Sequence, residues 1–299
     1  MSQFTYGGNT YSYSGTATID DNGTFLVAET NTDGQPHVLT AADLAFFLQE
    51  HQHTVMRQNA KLRRYYKGDH DKIRNVRGKA AWKPNNKLPI NFPKKLVDTF
   101  DGYFAGTPVK VDVAPTGDDQ QDVVTADKFL ATFNKLNDVP QTIFQLAKET
   151  SIVGRAYAYL YQGPDSQTHL ASLRGEDGFV IYSMNIDRTP LYAVRLVRMN
   201  PQTQTYIVDV MTADGIVEQF DVASLQINDE ETLGFEPVPI SYGIVPMIEF
   251  NADDERMGLY EAATGSTLLF QRRLMMSATL AIPCLKLLTS TLRMMICII

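Results

Sequence analysis

The side chains able to do chemistry are few, and their spacing does not bring them together. His51 and His53 are two residues apart, which on a helix turns them to different sides, so a shared metal is not expected. The acidic pairs Asp118-Asp119 and Asp253-Asp254 offer the oxygens a divalent cation takes, yet they adjoin Gly117 and Asn251 in polar stretches typical of solvated turns. Cys284 and Cys297 form no Cys-x-x-Cys pair, and Cys284 reads as a small apolar filler rather than a nucleophile. The chain has no phosphate-binding loop, no G-x-G-x-x-G, no H-E-x-x-H and no G-x-S-x-G elbow. A Ser-His-Asp or Cys-His arrangement assembled by the fold would leave no such signature. On these motifs there is no catalytic, metal-binding or cofactor-binding residue to name, and no cofactor is expected.

Charge is the stronger signal. The net charge is -7, but no Lys or Arg precedes Arg57, and residues 57–110 hold 14 of the 27 basic residues against four acids, a local +10 that leaves -17 elsewhere. A basic surface of this kind can meet nucleic acid or an acidic neighbouring subunit, and it can also be a solvated face. Bases interleaved with Tyr65, Tyr66 and Trp82 could form a stacking platform for a single strand. Tyr66, however, continues an apolar helical stripe, so these aromatics are expected to pack beneath the loop that follows.

The surrounding elements set the frame. With 299 residues and 44% hydrophobic content the chain can bury one large core or two smaller ones. Two late cysteines suit a reducing compartment, the N-terminus lacks the pattern of a signal peptide, and the apolar run 274–285 is too short and Pro-interrupted to span a membrane. Residues 1–38 read as a hairpin or arm around "DDNG". Thr40 caps a long amphipathic helix carrying Leu44, Leu48, Val55, Leu62 and Tyr66, and a basic loop rich in Gly and Asn follows. Asn91 caps a second helix with Pro93 in its first turn, Leu96, Val97, Phe100 and Phe104 as its expected buried stripe, and Gly106-Thr107-Pro108 at its end. "VKVDV" then predicts a strand. Two helices are expected over 122–137 and 139–154, broken at Asn137-Asp138, before five strand-like runs between Ala156 and Val222. Helices first and an antiparallel sheet second give an α+β fold.

Five ordered blocks carry a more specific signal: "YYKGDHDKIRN", "PNNKLPINFPKKLVDTFDGYFAGTPVKV", "IFQLAKETSIVGRAYAYLY", "FVIYSMNIDRTPLYAVRLV" and "YGIVPMIEFNADDERMGLYE". Their order over residues 62–261 resembles the portal proteins of tailed phages of the Gram-positive siphophage type. The residues carrying the resemblance are Tyr65, Tyr66, Gly68, Asn85, Asn86, Asn91, Phe92, Val97, Asp98, Gly102, Tyr103, Gly106, Pro108, Gly154, Tyr157, Pro246, Glu249, Phe250 and Asn251. The resemblance implies a structural subunit, not an enzyme, in a dodecameric ring at one capsid vertex through which double-stranded DNA passes. It also implies terminase, scaffold, major capsid and head-completion proteins as partners, no membrane, and assembly in the host cytoplasm before residence in the virion. Residues 39–261 would be the α+β wing. The alternatives are a free-standing nucleic-acid-binding protein using residues 57–110 and an uncharacterised phage enzyme.

The resemblance stops near the family's first stem helix. From Ala262 to Ile299 there is no Asp or Glu, although 34 precede it, where ordinary composition would give roughly five. Met is ATG and Ile begins AT, so "MMI" read from the third base of each codon gives two aspartates. The same shift over residues 270–285 permits the Asn-Asp and Tyr-Phe pairs of the family's stem helix. A frame change near Gly265 that replaces the stem and ends the chain early is therefore expected, and stop codons in the shifted frame would refute it.

Overall fold

A computed structural model describes residues 2–6, 9–13, 17–30, 38–70, 90–109, 120–200, 202, 204–223, 238–239 and 242–262. Most of the expected basic loop at 67–87, with Trp82, Asn85 and Asn86, nearly all of the expected strand at 109–113, Asp118-Asp119 and the tail from 263 lie outside the described residues.

Two short strands open the chain, β1 (Ser2–Tyr6) and β2 (Asn9–Tyr13), paired with each other. β3 (Ala17–Ile19) and β4 (Phe25–Val27) form the hairpin expected around "DDNG", whose Asp20 side chain accepts from the amides of Asn22 and Thr24. Helix α1 (Ala41–Glu50) begins on a capping box in which Thr40 and Asp43 exchange hydrogen bonds. It continues through one π-helical segment, His51–Met56, into α2 (Arg57–Tyr66). Of the expected stripe, Leu44, Leu48, Val55 and Leu62 are buried and Tyr66 is half-buried. The π segment was not legible, since it shifts the phase of the helix without a proline or glycine to mark it.

Then come α3 (Phe92–Phe104), α4 (Gln120–Leu136) and α5 (Val139–Val153), with Asp138 and Gly154 in left-handed backbone at the two ends of α5. Eight strands follow: β5 (Arg155–Gln162), β6 (Thr168–Arg174), β7 (Gly178–Ser183), β8 (Pro190–Asn200), β9 (Thr205–Thr212), β10 (Gly215–Ala223), β11 (Val238–Pro239) and β12 (Met247–Asn251). They build a seven-stranded sheet of order β11-β10-β9-β8-β7-β4-β3 and a three-stranded sheet of order β12-β5-β6. Among the described residues all pairings are antiparallel except β4 with β7. The fold is α+β, with two additions to the sequence reading. Strands β6, β11 and β12 were not anticipated, and residues 17–27 belong to the main sheet.

Side-chain alternation stacks these elements in layers. Phe179, Ile181, Val194, Leu196, Val208 and Val210 face α1, where Leu44, Phe47 and Leu48 close the first core. Their neighbours Val180, Ala193 and Met211 face the other way, onto Tyr157, Tyr159 and Met247 of the small sheet. The opposite face of β5, Ala156 and Ala158, packs on Leu146 of α5. Each large side chain fully buried in these layers contributes roughly 1.5–3 kcal/mol.

One expectation about α3 is corrected. Val97 is fully buried, but Leu96, Phe100 and Phe104 are 43%, 45% and 67% exposed. The inward face is instead Pro93, Val97 and Asp101, at i, i+4 and i+8, and the aromatic stripe beside it is left partly exposed.

Candidate functional site

Of the residues that carry the resemblance, most of those within the described chain gather at two backbone joints, and the rest of them lie exposed. The first joint links α2 to α3. Asn91 uses both ends of its amide: Nδ2 donates to the Tyr66 carbonyl at 2.9 Å, and Oδ1 accepts the Lys94 amide at 3.2 Å as the N-cap of α3. Gly68 turns the chain back at φ +81, and a Cβ there would stand 3.2 Å from Asn91 Nδ2. The Tyr66 hydroxyl donates to Asp98 at 3.0 Å, and burial together with that carboxylate pushes the phenol up to about 12. Tyr65 and Val97 meet Leu62, Ile152, Val153 and Tyr260 in one cluster. Phe92, half-buried, opens α3.

The second joint is where α5 hands the chain to β5. Gly154 has φ +87, and a Cβ on it would lie 2.0 Å from the Arg256 carbonyl oxygen, so no other residue fits without displacing backbone. Around it the segment after β12 is pinned: the Ala252 amide donates to Gly154 O at 2.9 Å, the Leu259 amide to Ser151 O at 2.9 Å, and the Tyr260 hydroxyl to Leu62 O at 2.7 Å. Glu249 accepts from Arg256 at 3.0 and 3.1 Å and from the Tyr182 hydroxyl at 3.0 Å, while Arg256 also reaches Thr24 at 2.8 Å. Tyr157 is buried beside this network, and burial pushes its phenol far up. Pro246, also buried, offers its carbonyl to the Leu160 amide at 2.8 Å.

The remaining motif residues are not drawn into either joint. Gly102 has open space around it, Tyr103 is 89% exposed, and Gly106 and Pro108 lie exposed past the end of α3. A Cβ on Gly106 would meet Gly102 O at 2.2 Å, which explains that glycine locally. Phe250 and Asn251 are exposed at the end of β12. Phe104, Pro108 and Phe250 share a groove of about 590 Å³ with Phe100, Ile143 and Leu259.

Sequence reasoning missed the charged groups that tie these joints together. Arg63 donates to Glu176 at 2.7 and 2.8 Å and to Glu149 at 3.0 Å, joining α2, α5 and the turn before β7. Burial pushes the Glu149 carboxyl up despite Arg63. Asp101, buried on α3, accepts from the Ser151 hydroxyl at 2.7 Å, and burial raises its carboxyl as well. In the main sheet the buried Asp209 holds Arg195 at 2.8 Å and Gln219 at 2.6 Å. No spacing rule reaches these pairs.

The chemistry on offer is positional. His51 is sealed between α1 and the sheet with Nε2 3.1 Å from the Glu176 carbonyl oxygen, which leaves it no substrate to touch. His53 sits in the same π segment, and no metal-competent cluster of three His, Cys, Asp or Glu occurs among the described residues. Asp253 caps its own turn by accepting the Met257 amide at 2.9 Å. Of the bases in 57–110, Arg63 is engaged by two carboxylates and Arg64 pairs with Asp69 at 3.1 Å. Tyr65 is buried rather than displayed for stacking. No helix among the described residues is long and apolar enough to cross a membrane.

Two comparisons bear on what such a scaffold is. No curated protein matches the chain. The family model for the phage portal protein, SPP1 Gp6-like, matches residues 45–266, which contain both joints, the groove and nearly all of the layered core. The chain belongs to the SPP1 Gp6-like family of phage portal proteins.

Proposed function

We propose that residues 39–261 are the wing of a portal subunit, one of twelve in a ring at the capsid vertex. Double-stranded DNA passes through that ring during packaging and ejection. Terminase, scaffold, major capsid and head-completion proteins are its partners, and assembly takes place in the host cytoplasm. Its work is mechanical rather than catalytic. The motif residues, Asn85 and Asn86 among them, act as structural determinants and not as ligands.

The observation that carries this reading is where the described motif residues sit: Tyr66, Gly68 and Asn91 lock one turn, and Gly154 and Glu249 lock another, all through backbone or buried charge. Such joints fix the angle between helices and sheets, which a ring subunit needs so that each copy meets the next at a constant rotation. Residues 262–299 are read as out of frame after Gly265, a reading that the end of the family match at residue 266 supports. Immunogold labelling of particles from the host that carries the gene tests the assignment. One labelled vertex per capsid is expected, and label spread over the shell or absent from particles would overturn it.

A further inference from the structure

Two helix surfaces of the described chain carry apolar side chains with nothing over them. The first is the groove whose floor holds the stacked rings of Phe100 and Phe104, 5.8 Å apart, with Ile143, Phe250 and Leu259 as walls. Asp253 also lines it, and the adjoining Asp254 and Glu255 are exposed. The second is α4. None of its described side chains is buried, although a 17-residue helix in water takes most of its stability from packing. On its outer edge Phe129 and Leu136, 69% and 43% exposed, stand seven residues apart on one stripe. Lys128 and Lys135 flank that stripe at the same spacing, and both are exposed.

The two surfaces are complementary. One is a concave apolar site bordered by carboxylates; the other is a convex apolar edge bordered by ammonium groups. Two such unpartnered surfaces on one chain are what a head-to-tail contact requires, since each copy then presents a different face to each neighbour. We propose that the groove of one copy receives the Phe129–Leu136 edge of α4 from a second copy, with Lys128 and Lys135 meeting Asp254 and Glu255. Aromatic burial at the centre supplies the affinity, and the charged border sets the register and disfavours groove meeting groove or α4 meeting α4. This contact rests on the ring-forming reading above and names the surfaces that reading needs.

Disulfide trapping tests it on the full chain with Cys284→Ser and Cys297→Ser. Phe104→Cys and Phe129→Cys are made separately, both at exposed positions that tolerate the change, and oxidised alone and mixed. The mixture should give a cross-linked dimer at least about tenfold above either variant alone, because the surfaces differ. Equal dimer from Phe104→Cys alone would mean that groove meets groove and overturn the proposal. So would a link from Phe104→Cys to Cys284 or Cys297 within one chain when those cysteines are left in place, since the chain's own tail would then fill the groove. Assembled protein, judged by mass photometry, that forms no cross-link would leave the ring and refute these surfaces. A chain that stays monomeric at every concentration would fail both. As an independent arm, Lys128→Glu with Lys135→Glu should weaken association about tenfold, and Asp254→Lys with Glu255→Lys in the same chain should restore it. Reversal without effect would contradict the charged border.

Discussion

Lowering the pH should cost stability through His51 before the surface carboxylates lose their charge. The ring is fully buried, 5.0 Å from Phe179 and 6.2 Å from Phe25, and Nε2–H donates to the Glu176 carbonyl. Burial disfavours the imidazolium, the Glu176 carbonyl and carboxylate offset part of that, Arg155 adds repulsion, and the ring is pushed down from 6.5 to about 4. Above the higher value the group is neutral whether folded or unfolded and contributes nothing to pH dependence. Between the two values the unfolded chain binds the extra proton, so stability falls as pH falls. The whole shift corresponds to about 3 kcal/mol, of which about 2 kcal/mol is lost by about pH 5. Urea unfolding of the wild type and His51→Gln at about pH 7.5 and about pH 5 reads this directly. The glutamine keeps an N–H for the carbonyl but cannot become a cation. It should start less stable through lost ring packing and then lose about 2 kcal/mol less than the wild type on acidification. Equal losses in the two proteins would refute the argument.

Other substitutions test the joints and the surfaces. Gly154→Ala forces a Cβ against the Arg256 carbonyl in left-handed backbone, so denaturant unfolding should show a loss of roughly 3 kcal/mol or insoluble protein; a wild-type midpoint would show that the α5–β5 joint is not as described. Val97→Asp buries an unpaired carboxylate and should unfold the chain, whereas Phe100→Asp, on the open face of α3, should shift monomer stability by no more than about 1 kcal/mol. The reverse order in thermal melts would restore the aromatic stripe as the inner face. DNA binding, measured by gel shift with competitors, should weaken steeply with salt and show less than about a thousandfold preference for any sequence, the lower end for specific binders.

What the sequence disclosed was local. Thr40 and Asn91 declared helix starts because a cap and its helix lie within four residues. The alternation in "AYAYLY" and "FVIYS" declared strands because each has two differently packed faces. The expected helix ended at Gly154, though nothing marked that residue as the point where the Arg256 backbone comes closest. Long-range features stayed hidden. Arg63 and Glu149 are 86 residues apart and Arg256 and Thr24 are 232 apart, so only the fold pairs them. β4 pairs in parallel with a strand some 150 residues later, which a hairpin reading of residues 17–27 could not foresee. Phe100 and Phe104 misled for a related reason. Apolar periodicity reports that a face is to be covered, not whether the cover comes from the same molecule.

The central claim is that the chain is a ring-forming portal subunit whose joints fix its geometry. Electron microscopy of the purified full chain, with native mass spectrometry of the same sample, tests it most directly. The account predicts closed rings of a single size, twelve copies as the family resemblance implies, that dissociate when Phe129 and Leu136 are both changed to serine. A monomer at every concentration, or open filaments of variable length, would contradict it.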